Sequence, residues 1–341
     1  MGKGFSIYLL LLLSGLGLHG CQSSTNTRNH EAATIKAATV LEEPKHSYAT
    51  KNVILVVIDG VRYSESWGDS TRRYIPHMTK LASKGLFHPA FYNQGVTLTN
   101  PGHAALTTGK YQRLKNNGSE IPDYPSVFHY YRKFTGAPAQ DAWIITSKDK
   151  LEILARTNSS ESAAAFAPSV DCGVEGLGSG YRDDTTTLRV AKRLLAKHTP
   201  KTALINLRGP DSEAHLKNWE GYLGAIQETD KMVSDLWSWL QKHPEYKNTT
   251  TLLITNDHGR HTGTQFQNHG DNCKGCRHIS LLVLGPDVKP GTLASRPRSQ
   301  VDVAPTMAEL LGVPFPQRDG EPMLELFERK QARNLNKTKA L

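Results

Sequence analysis

Short apolar runs alternate with amphipathic segments along most of this chain. The runs are short and mostly apolar, and the two at Val53–Ile58 and Thr251–Thr255 have the features of fully buried strands. Between the runs, apolar residues recur at helical spacing. The alternation predicts an α/β domain with a mostly parallel central sheet and helices on both faces. The predicted strands are Val53–Ile58, Trp143–Ile145, Ala203–Leu207, Thr251–Thr255 and Leu281–Leu284, and the predicted helices are Pro76–Ser83, Pro125–Phe134, Thr185–His198, Trp219–Gln241 and Val303–Leu311.

Two of the predicted strands end in acids. The first leads directly into Asp59, and the fourth leads into Asp257 and His258. Ligands of open α/β sheets bind at the carboxyl ends of the strands, so two acids and a histidine there indicate a metal site. A single acid in such a place more often caps the next helix. The interpretation therefore depends on the rest of the chain.

The first residues have the features of a targeting segment. Lys3 supplies a positive charge, 7–13 is apolar, and Leu18–Cys21 resembles the bacterial lipobox, in which a signal peptidase cuts before a lipidated cysteine. The alternative is an ordinary signal peptide with an incidental cysteine. The resemblance predicts a chain held to a membrane through a lipidated Cys21, in the bacterial cell envelope and facing the periplasm or the cell exterior.

The remaining composition divides the chain into four parts. We predict a signal peptide over 1–20, a polar tether over 21–48, one catalytic domain over 49–327 and a basic tail without a core face over 328–341. The chain has 41 Lys and Arg against 32 Asp and Glu, a net charge of +9. The excess is scattered rather than clustered, so no nucleic acid partner is expected.

Three cysteines remain after Cys21, and their pairing is left open. Cys273 and Cys276 form a Cys-x-x-Cys unit that could close a disulfide, pair with Cys172, or supply half of a zinc knuckle. No second such unit is present, and the export signal indicates an oxidising compartment. A disulfide is therefore the favoured interpretation.

Four fragments in chain order resemble the alkaline phosphatase superfamily, which includes phosphomonoesterases, nucleotide pyrophosphatase/phosphodiesterases and sulfatases. The resemblance covers roughly residues 50 to 290 and implies an alkaline phosphatase-like fold. The fragments are VVIDG (56–60), TLTNPGHAALTTG (97–109), RGPDSEAH (208–215) and NDHGRHTGTQFQNHGDN (256–272).

The resemblance implies two divalent metal ions, which we expect to be zinc. Asp and His donors also accept manganese, iron or calcium. Two such ions about 4 Å apart stabilise the entering and leaving oxygens of a displacement at phosphorus. Asp211 and His215 stand four residues apart, on one face of a helical turn. The implied ligands are Asp59, Asp257 and His258 for one metal, Asp211, His215 and His269 for the other, and the hydroxyl of Thr99. His261 and His278 are the alternatives to His269 as a ligand.

Thr99 is the implied nucleophile. It matches the threonine that, in the family, stands just before a helix beginning Pro-Gly-His, at the positive end of the helix dipole. Metal coordination would lower the pKa of its hydroxyl, and a phosphothreonine intermediate would follow. The alternative is a helix cap without chemistry. Thr97 stands outside the Pro-Gly-His context and is the weaker candidate.

The segment 145–155 resembles the Ser-x-Lys-Asp-Arg stretch of phosphate-irrepressible bacterial alkaline phosphatases. Lys148 matches the family's lysine, and Lys150 replaces its arginine. Both would contact the phosphoryl group, and two cations there favour a dianionic monoester. Asn117 is the implied amide donor, with Asn116 and Asn100 as rivals. The chain lacks the sulfatase motif of Cys or Ser followed by x-Pro-x-Arg, and Gly102 stands where the diesterase branch has asparagine.

The sequence thus predicts a two-metal hydrolase of small phosphate esters, with monoesters as the preferred substrates. One alternative is a phosphodiesterase, nucleotide pyrophosphatase or phosphonate hydrolase on the same fold. An alternative of another class is a lipid-anchored binding protein without catalytic activity.

Overall fold

A computed structural model of the protein describes residues 48–159 and 164–328, and within these ranges nine strands form a single sheet. The strands are β1 (Asn52–Ile58), β2 (Leu86–Tyr92), β3 (Ala142–Thr146), β4 (Ser169–Cys172), β5 (Thr202–Leu207), β6 (Thr250–Thr255), β7 (His278–Leu284), β8 (Thr292–Leu293) and β9 (Arg298–Ser299).

The sheet has the strand order β4-β3-β5-β1-β6-β7-β2-β8, and β9 pairs with β2. From β4 to β6 all neighbours are parallel, with β1 between β5 and β6. β7 then runs antiparallel to both β6 and β2. The predicted fold class, a mostly parallel sheet, is confirmed, and the antiparallel edge is an addition that the sequence did not reveal.

Helices cover both faces of the sheet. Because successive side chains of a strand point to opposite faces, β1 supplies Val53, Leu55 and Val57 to one core and the residues between them to the other. In the described residues the helices are α1 (Pro76–Ala82), α2 (Thr99–Thr108), α3 (Val127–Thr135), α4 (Asp184–His198), α5 (Gly209–His215), α6 (Trp219–Leu240), α7 (Lys274–Arg277) and α8 (Val303–Leu310). The first core also contains side chains of α2, α3 and α8, and the second contains side chains of α1, α4 and α6.

All five predicted strands and all five predicted helices are present, with small shifts at most of their ends. β2 was missed because His88 and Pro89 interrupt its apolar pattern, and its pairing with β7 is irregular between His88 and Phe91. α2 begins at Thr99, with Leu98 as its cap residue, whereas we predicted that Thr99 would precede the helix.

The register of the parallel strands brings their carboxyl ends to one edge. Ile58 of β1 pairs with Leu207 of β5, and Val57 pairs with Thr255 of β6. The residues that follow these three strands therefore lie side by side. They include all the acids implied as metal ligands.

The predicted signal peptide and nearly all of the predicted tether and tail fall outside the described residues and stay predictions. Within the described ranges, the helices are all too short or too polar to cross a membrane.

Candidate active site

The first cluster of donor atoms lies where β1 and β6 end. The side chains of Asp59, Asp257 and His258 are all buried there. His258 Nε2 lies 3.5 Å from Asp59 Oδ1 and 3.4 Å from Asp257 Oδ2. These three buried atoms have no hydrogen-bond partner in the described part of the chain. An unsatisfied buried polar atom costs about 1–3 kcal/mol, so three that face one another fit the donor set of a metal ion.

Hydrogen bonds fix the orientation of the His258 ring. Its Nδ1 lies 2.9 Å from the backbone oxygen of Gly259 and donates its proton there, so Nε2 faces the two carboxylates with its lone pair. Burial and the neighbouring His269 hold the pKa of His258 well below its ordinary value. Burial and the Asp59 carboxylate raise the pKa of Asp257. A divalent cation between these groups would lower the pKa of Asp257 and would bind the unprotonated form of His258 that burial already favours.

The second cluster lies where β5 leads into α5. His215 Nε2 lies 3.4 Å from Asp211 Oδ1 and 3.0 Å from His269 Nε2, which in turn lies 3.6 Å from Asp211 Oδ1. The His258 and His269 rings stack with centroids 3.9 Å apart, so the two clusters adjoin. The side chain of His215 is 52% exposed, whereas those of Asp211 and His269 are nearly buried. The site therefore opens to solvent on the His215 side.

Thr97 holds the loop that carries His269. Its backbone oxygen lies 2.9 Å from His269 Nδ1, which leaves Nε2 facing Asp211. Its hydroxyl accepts from the backbone N–H of Gly270 and donates to the backbone oxygen of Asp271. Burial lowers the pKa of His269 to about 4. Because the hydroxyl of Thr97 is committed to the loop, Thr97 does not compete with Thr99 as a nucleophile.

Lys148 connects Thr99 to both clusters. Its Nζ lies 3.2 Å from Thr99 Oγ1, 2.8 Å from Asp59 Oδ2 and 2.6 Å from Asp211 Oδ2. Burial alone would lower the pKa of Lys148, but the Asp211 and Asp59 carboxylates raise it above the ordinary value. The same ammonium holds the pKa of Asp211 well below its usual range despite the burial of that carboxyl. Lys148 thus links the Thr99 hydroxyl to one carboxylate of each cluster.

Lys150 and the neighbouring asparagines lie beside this centre. Lys150 Nζ donates to the backbone oxygen of Asn116, and burial and the charge of Lys148 lower the pKa of Lys150 to about 8. Asn116 Oδ1 accepts from the backbone N–H of Asn100 in the first turn of α2. Asn117 is exposed, and its Oδ1 accepts from Ser119. The geometry therefore favours Asn116 over our predicted Asn117.

Neither rival of His269 reaches the two clusters. His278 Nε2 lies 2.8 Å from the backbone oxygen of Pro89, and its ring stacks on Tyr63. His261 Nε2 lies 2.9 Å from Asp271 Oδ2, near the cysteine pair. The favoured disulfide is confirmed between Cys273 and Cys276, and Cys172 is a buried free thiol.

Two buried residues of the site escaped the sequence analysis. Arg260 bonds to Asp211 through its side chain and to the backbone oxygen of Asp211. His103 Nδ1 lies 2.9 Å from the backbone oxygen of Thr99 and 3.4 Å from Asp257 Oδ2, and its Nε2 accepts from Asn206. Both stand within the quoted fragments, and only His103 lies between small non-polar residues, Gly102 and Ala104, where its polar character was an available signal.

The donor atoms suit two divalent cations. Each cluster contains carboxylate oxygen and unprotonated imidazole nitrogen, the mixture that zinc and similar ions bind. Mutual donor distances below 4.8 Å occur within Asp59, Asp257 and His258 and within Asp211, His258 and His269. Two adjoining groups of this composition suit displacement at phosphorus or sulfur.

Two family models match different parts of the chain. The model for type I phosphodiesterase/nucleotide pyrophosphatase matches residues 53–114, which contain Asp59 and Thr99. The sulfatase model matches residues 152–313, which contain the other predicted metal ligands. Residues 53–114 and residues 152–313 thus resemble two different families of enzymes.

The chain matches only part of the length of its curated relatives. The sulfatase ppz1 of Metarhizium majus is 31% identical over 118 residues, which are 34% of this chain and 28% of that protein. The GPI ethanolamine phosphate transferase 2 of Schizosaccharomyces pombe is 25% identical over 297 residues, which are 78% of this chain and 37% of that protein. The chain therefore spans well under half the length of either relative.

Solved structures share the fold at low sequence identity. The phosphonate monoester hydrolase of Silicibacter pomeroyi has a TM-score of 0.59 at 16% identity, covering 80% of this chain and 76% of that one. Murine ectonucleotide pyrophosphatase/phosphodiesterase 5, an inactive threonine-to-alanine variant in complex with AMP, has a TM-score of 0.62 at 13% identity, covering 82% and 100%. A Vibrio parahaemolyticus protein of the alkaline phosphatase superfamily has a TM-score of 0.60 at 15% identity, covering 81% and 71%. Fold, family models and ordered motifs all support placing the chain in the alkaline phosphatase superfamily.

Proposed function

We propose that the chain is a metal-dependent hydrolase of phosphate esters that uses Thr99 as its nucleophile. The observation that carries the proposal is the position of the Thr99 hydroxyl. It is bonded to Lys148, whose ammonium also contacts Asp59 of the first cluster and Asp211 of the second. The match of residues 53–114 to the phosphodiesterase model supports the same role, because it includes Thr99.

The chain's own residues would hold the nucleophile at the phosphorus atom. Thr99 stands in the first turn of α2, where the helix dipole favours the negative charge of a phosphoryl group. Attack of its oxygen would release the alcohol and leave a phosphothreonine, which water would then hydrolyse. The Thr99 side chain is buried, which limits competition from bulk water.

Lys148 would neutralise charge at the phosphoryl oxygens. Its ammonium donates hydrogen bonds to Thr99 and Asp211 and forms an ion pair with Asp59 at 2.8 Å. A phosphoryl oxygen that approaches Lys148 would compete with these three partners. Divalent ions held by the two clusters would lower the pKa of the Thr99 hydroxyl and offset the charge at phosphorus.

The substrate we favour is a monoester. Lys148 and Lys150 both lie at the site, and two cations favour a dianionic group over a singly charged diester. The diester alternative is supported by the phosphodiesterase match over the nucleophile region. Comparing kcat/KM for nitrophenyl phosphate with that for bis(nitrophenyl) phosphate tests the choice, and a strong preference for the bis-ester would refute monoester specificity.

Substitution of Thr99 tests the nucleophile. We expect Thr99→Ala to lose hydrolysis but to keep its metals, bound somewhat more weakly because the hydroxyl ligand is missing. Thr99→Ser should keep measurable turnover. Acid quenching during turnover should trap one phosphoryl group on the peptide that contains Thr99 in the wild type. Normal hydrolysis by Thr99→Ala would sink the proposal.

Metal analysis separates the enzyme from a binding protein without activity. A non-catalytic relative should hold no stoichiometric metal, whereas we expect about two zinc-like ions per chain after dialysis, as a two-metal site requires. We also propose lipid anchoring through Cys21. Metabolic labelling with a fatty acid, lost in Cys21→Ala, tests that anchoring separately from catalysis.

A further inference from the structure

The chain carries a further group of donor atoms beside the active site. His261, Asp271, Cys273 and Cys276 each place one donor atom within 4.8 Å of the others. The Asp271 carboxylate contacts both the histidine and one of the cysteines. Its Oδ2 is 2.9 Å from His261 Nε2, and its Oδ1 is 3.4 Å from Cys276 Sγ. The mechanism proposed above assigns no task to any of these side chains.

We propose that this group, with both cysteines reduced, is a structural zinc site that stabilises the loop after β6. Two thiolates, one imidazole and one carboxylate are four ligands, the number that closes a tetrahedral structural site. Cys273 and Cys276 have the Cys-x-x-Cys spacing of such sites. A disulfide alone would not require His261 and Asp271 to converge on the two sulfurs.

The distances suit zinc after a small movement. Zinc–sulfur bonds of about 2.3 Å and zinc–nitrogen or zinc–oxygen bonds of about 2.0–2.1 Å place tetrahedral ligand atoms roughly 3.3–3.8 Å apart. Separation of the two sulfurs and a widening of the His261–Asp271 contact would bring the four donor atoms into that range. The backbone N–H of Cys276 already donates to Cys273 Sγ at 2.9 Å, a bond that favours the thiolate form.

The disulfide and the metal are alternative states of the same loop. A dithiol reductant would transfer two electrons and two protons to the Cys273–Cys276 bond, giving two thiols and the disulfide of the reductant. Binding of Zn²⁺ would then displace the two thiol protons. Either state crosslinks the same turn, so the loop stays pinned in both oxidising and reducing surroundings.

This loop positions two imidazoles of the active site. The backbone N–H of Gly259, the residue after His258, donates to the backbone oxygen of Cys276 at 2.8 Å. Asp271 stands two residues after His269, and its backbone oxygen accepts from the Thr97 hydroxyl. A metal at the cysteine cluster would therefore order both segments without touching substrate.

The wild-type chain in two redox states provides the primary test. Zinc content after dialysis should be one ion per chain higher when the protein has been reduced with a phosphine than when the disulfide is intact. Cobalt as a probe locates that ion, because the active-site donors are oxygen and nitrogen only. Thiolate-to-cobalt charge-transfer absorption should therefore appear in the reduced protein and be absent from the oxidised protein.

Variants supply the controls. The absorption should disappear in the Cys273→Ser, Cys276→Ser double variant and persist in Cys172→Ser, which removes a buried thiol outside the cluster. His261→Gln should weaken zinc binding by the reduced protein at least about tenfold, since even outer ligand partners contribute that much. Equal zinc content in both redox states, or an additional ion without thiolate absorption, would overturn the proposal. Neither readout depends on hydrolysis, so failure of the proposed function would not be confused with failure of this site.

Discussion

Gly102 of α2 lies directly against the backbone of Asp257. A Cβ atom at Gly102 would stand 2.7 Å from the backbone oxygen of Asp257 and 3.1 Å from its Cβ. The helix that carries Thr99 therefore touches the strand end that carries the first cluster. They touch at Gly102, where only glycine has room. An asparagine there, as in the diesterase branch, would need a different spacing of helix and strand.

We predict that Gly102→Ala lowers both activity and stability. The added methyl group must push α2 away from Asp257, and overpacking of this kind costs about 1–3 kcal/mol, more than the roughly 1 kcal/mol that alanine gains in a helix. Gly224→Ala in α6 is the matched control, because a Cβ there meets no atom within 4 Å. Urea unfolding should show opposite signs for the two variants, and equal stabilisation by both would contradict the close contact.

Asn116→Ala should reduce kcat more than Asn117→Ala. Asn116 Oδ1 caps the backbone N–H of Asn100 beside the nucleophile, whereas Asn117 bonds only within an exposed turn through Ser119. Loss of the Asn116 cap should destabilise the first turn of α2 by about 1 kcal/mol. Steady-state kinetics of both variants on one substrate measure the difference. A larger loss in Asn117→Ala would restore the prediction made from sequence.

Metal removal should change the sign of the effect of Asp257→Asn on thermal stability. Without metal, Asp59 and Asp257 are two buried carboxylates close to His258, so the neutral amide should leave the chelated protein at least as stable as wild type. With metal, Asp257→Asn loses a charged ligand, so its Tm should rise less on metal addition. Thermal melts with and without a chelator provide the measurement.

Asp287→Asn is the control for that experiment. Asp287 is also buried, but it accepts hydrogen bonds from Ala49 and Thr50, away from the metal ligands. Its substitution should lower Tm by the same amount in both conditions. A similar metal dependence in both variants would contradict the assignment of Asp257 as a ligand.

His129 should make the protein less stable in mild acid. Its Nδ1 accepts from the backbone N–H of Ser126, its Nε2 lies 3.2 Å from the backbone oxygen of Ala155, and burial lowers its pKa to about 4. The unfolded chain binds a proton near pH 6.5, so stability is complete above that pH and falls as the pH decreases towards 4. The loss between about pH 7.5 and about pH 5 should be about 2 kcal/mol.

His129→Gln tests this dependence, because its amide can replace both hydrogen bonds and does not titrate. Urea unfolding at the two pH values should show a smaller decrease for the variant than for the wild type. An unchanged decrease would assign the acid sensitivity to other groups.

The parts of the fold that sequence predicted are those fixed by local pattern. β1, β5 and β6 are fully buried and mostly apolar because both faces of the sheet are covered, so their ends and the acids after them were visible. β2 was not, because its pairing with β7 tolerates His88 and Pro89 in an irregular register. Edge and antiparallel positions depend on tertiary contacts that a window of sequence does not contain.

The same distinction applies to the site. The structure brings together Asp59, Asp257 and His258, as expected from strand ends that share one edge. The choice between Asn116 and Asn117 has another origin. Asn116 and Asn117 are adjacent, and only the turn closed by Ser119 decides which side chain faces α2. Arg260 was missed because its partner Asp211 lies 49 residues away in the chain.

The central place of β1 in the sheet has a consequence for synthesis of the protein. Its partners β5 and β6 begin at Thr202 and Thr250, so both edges of a fully buried, mostly apolar strand stay open until most of the chain has been made. Contacts between such distant segments form slowly and leave exposed strand edges that can aggregate. Chaperone capture of the nascent chain should therefore be strongest between the emergence of β1 and that of β6, and no fragment that stops before β6 should refold to an active enzyme.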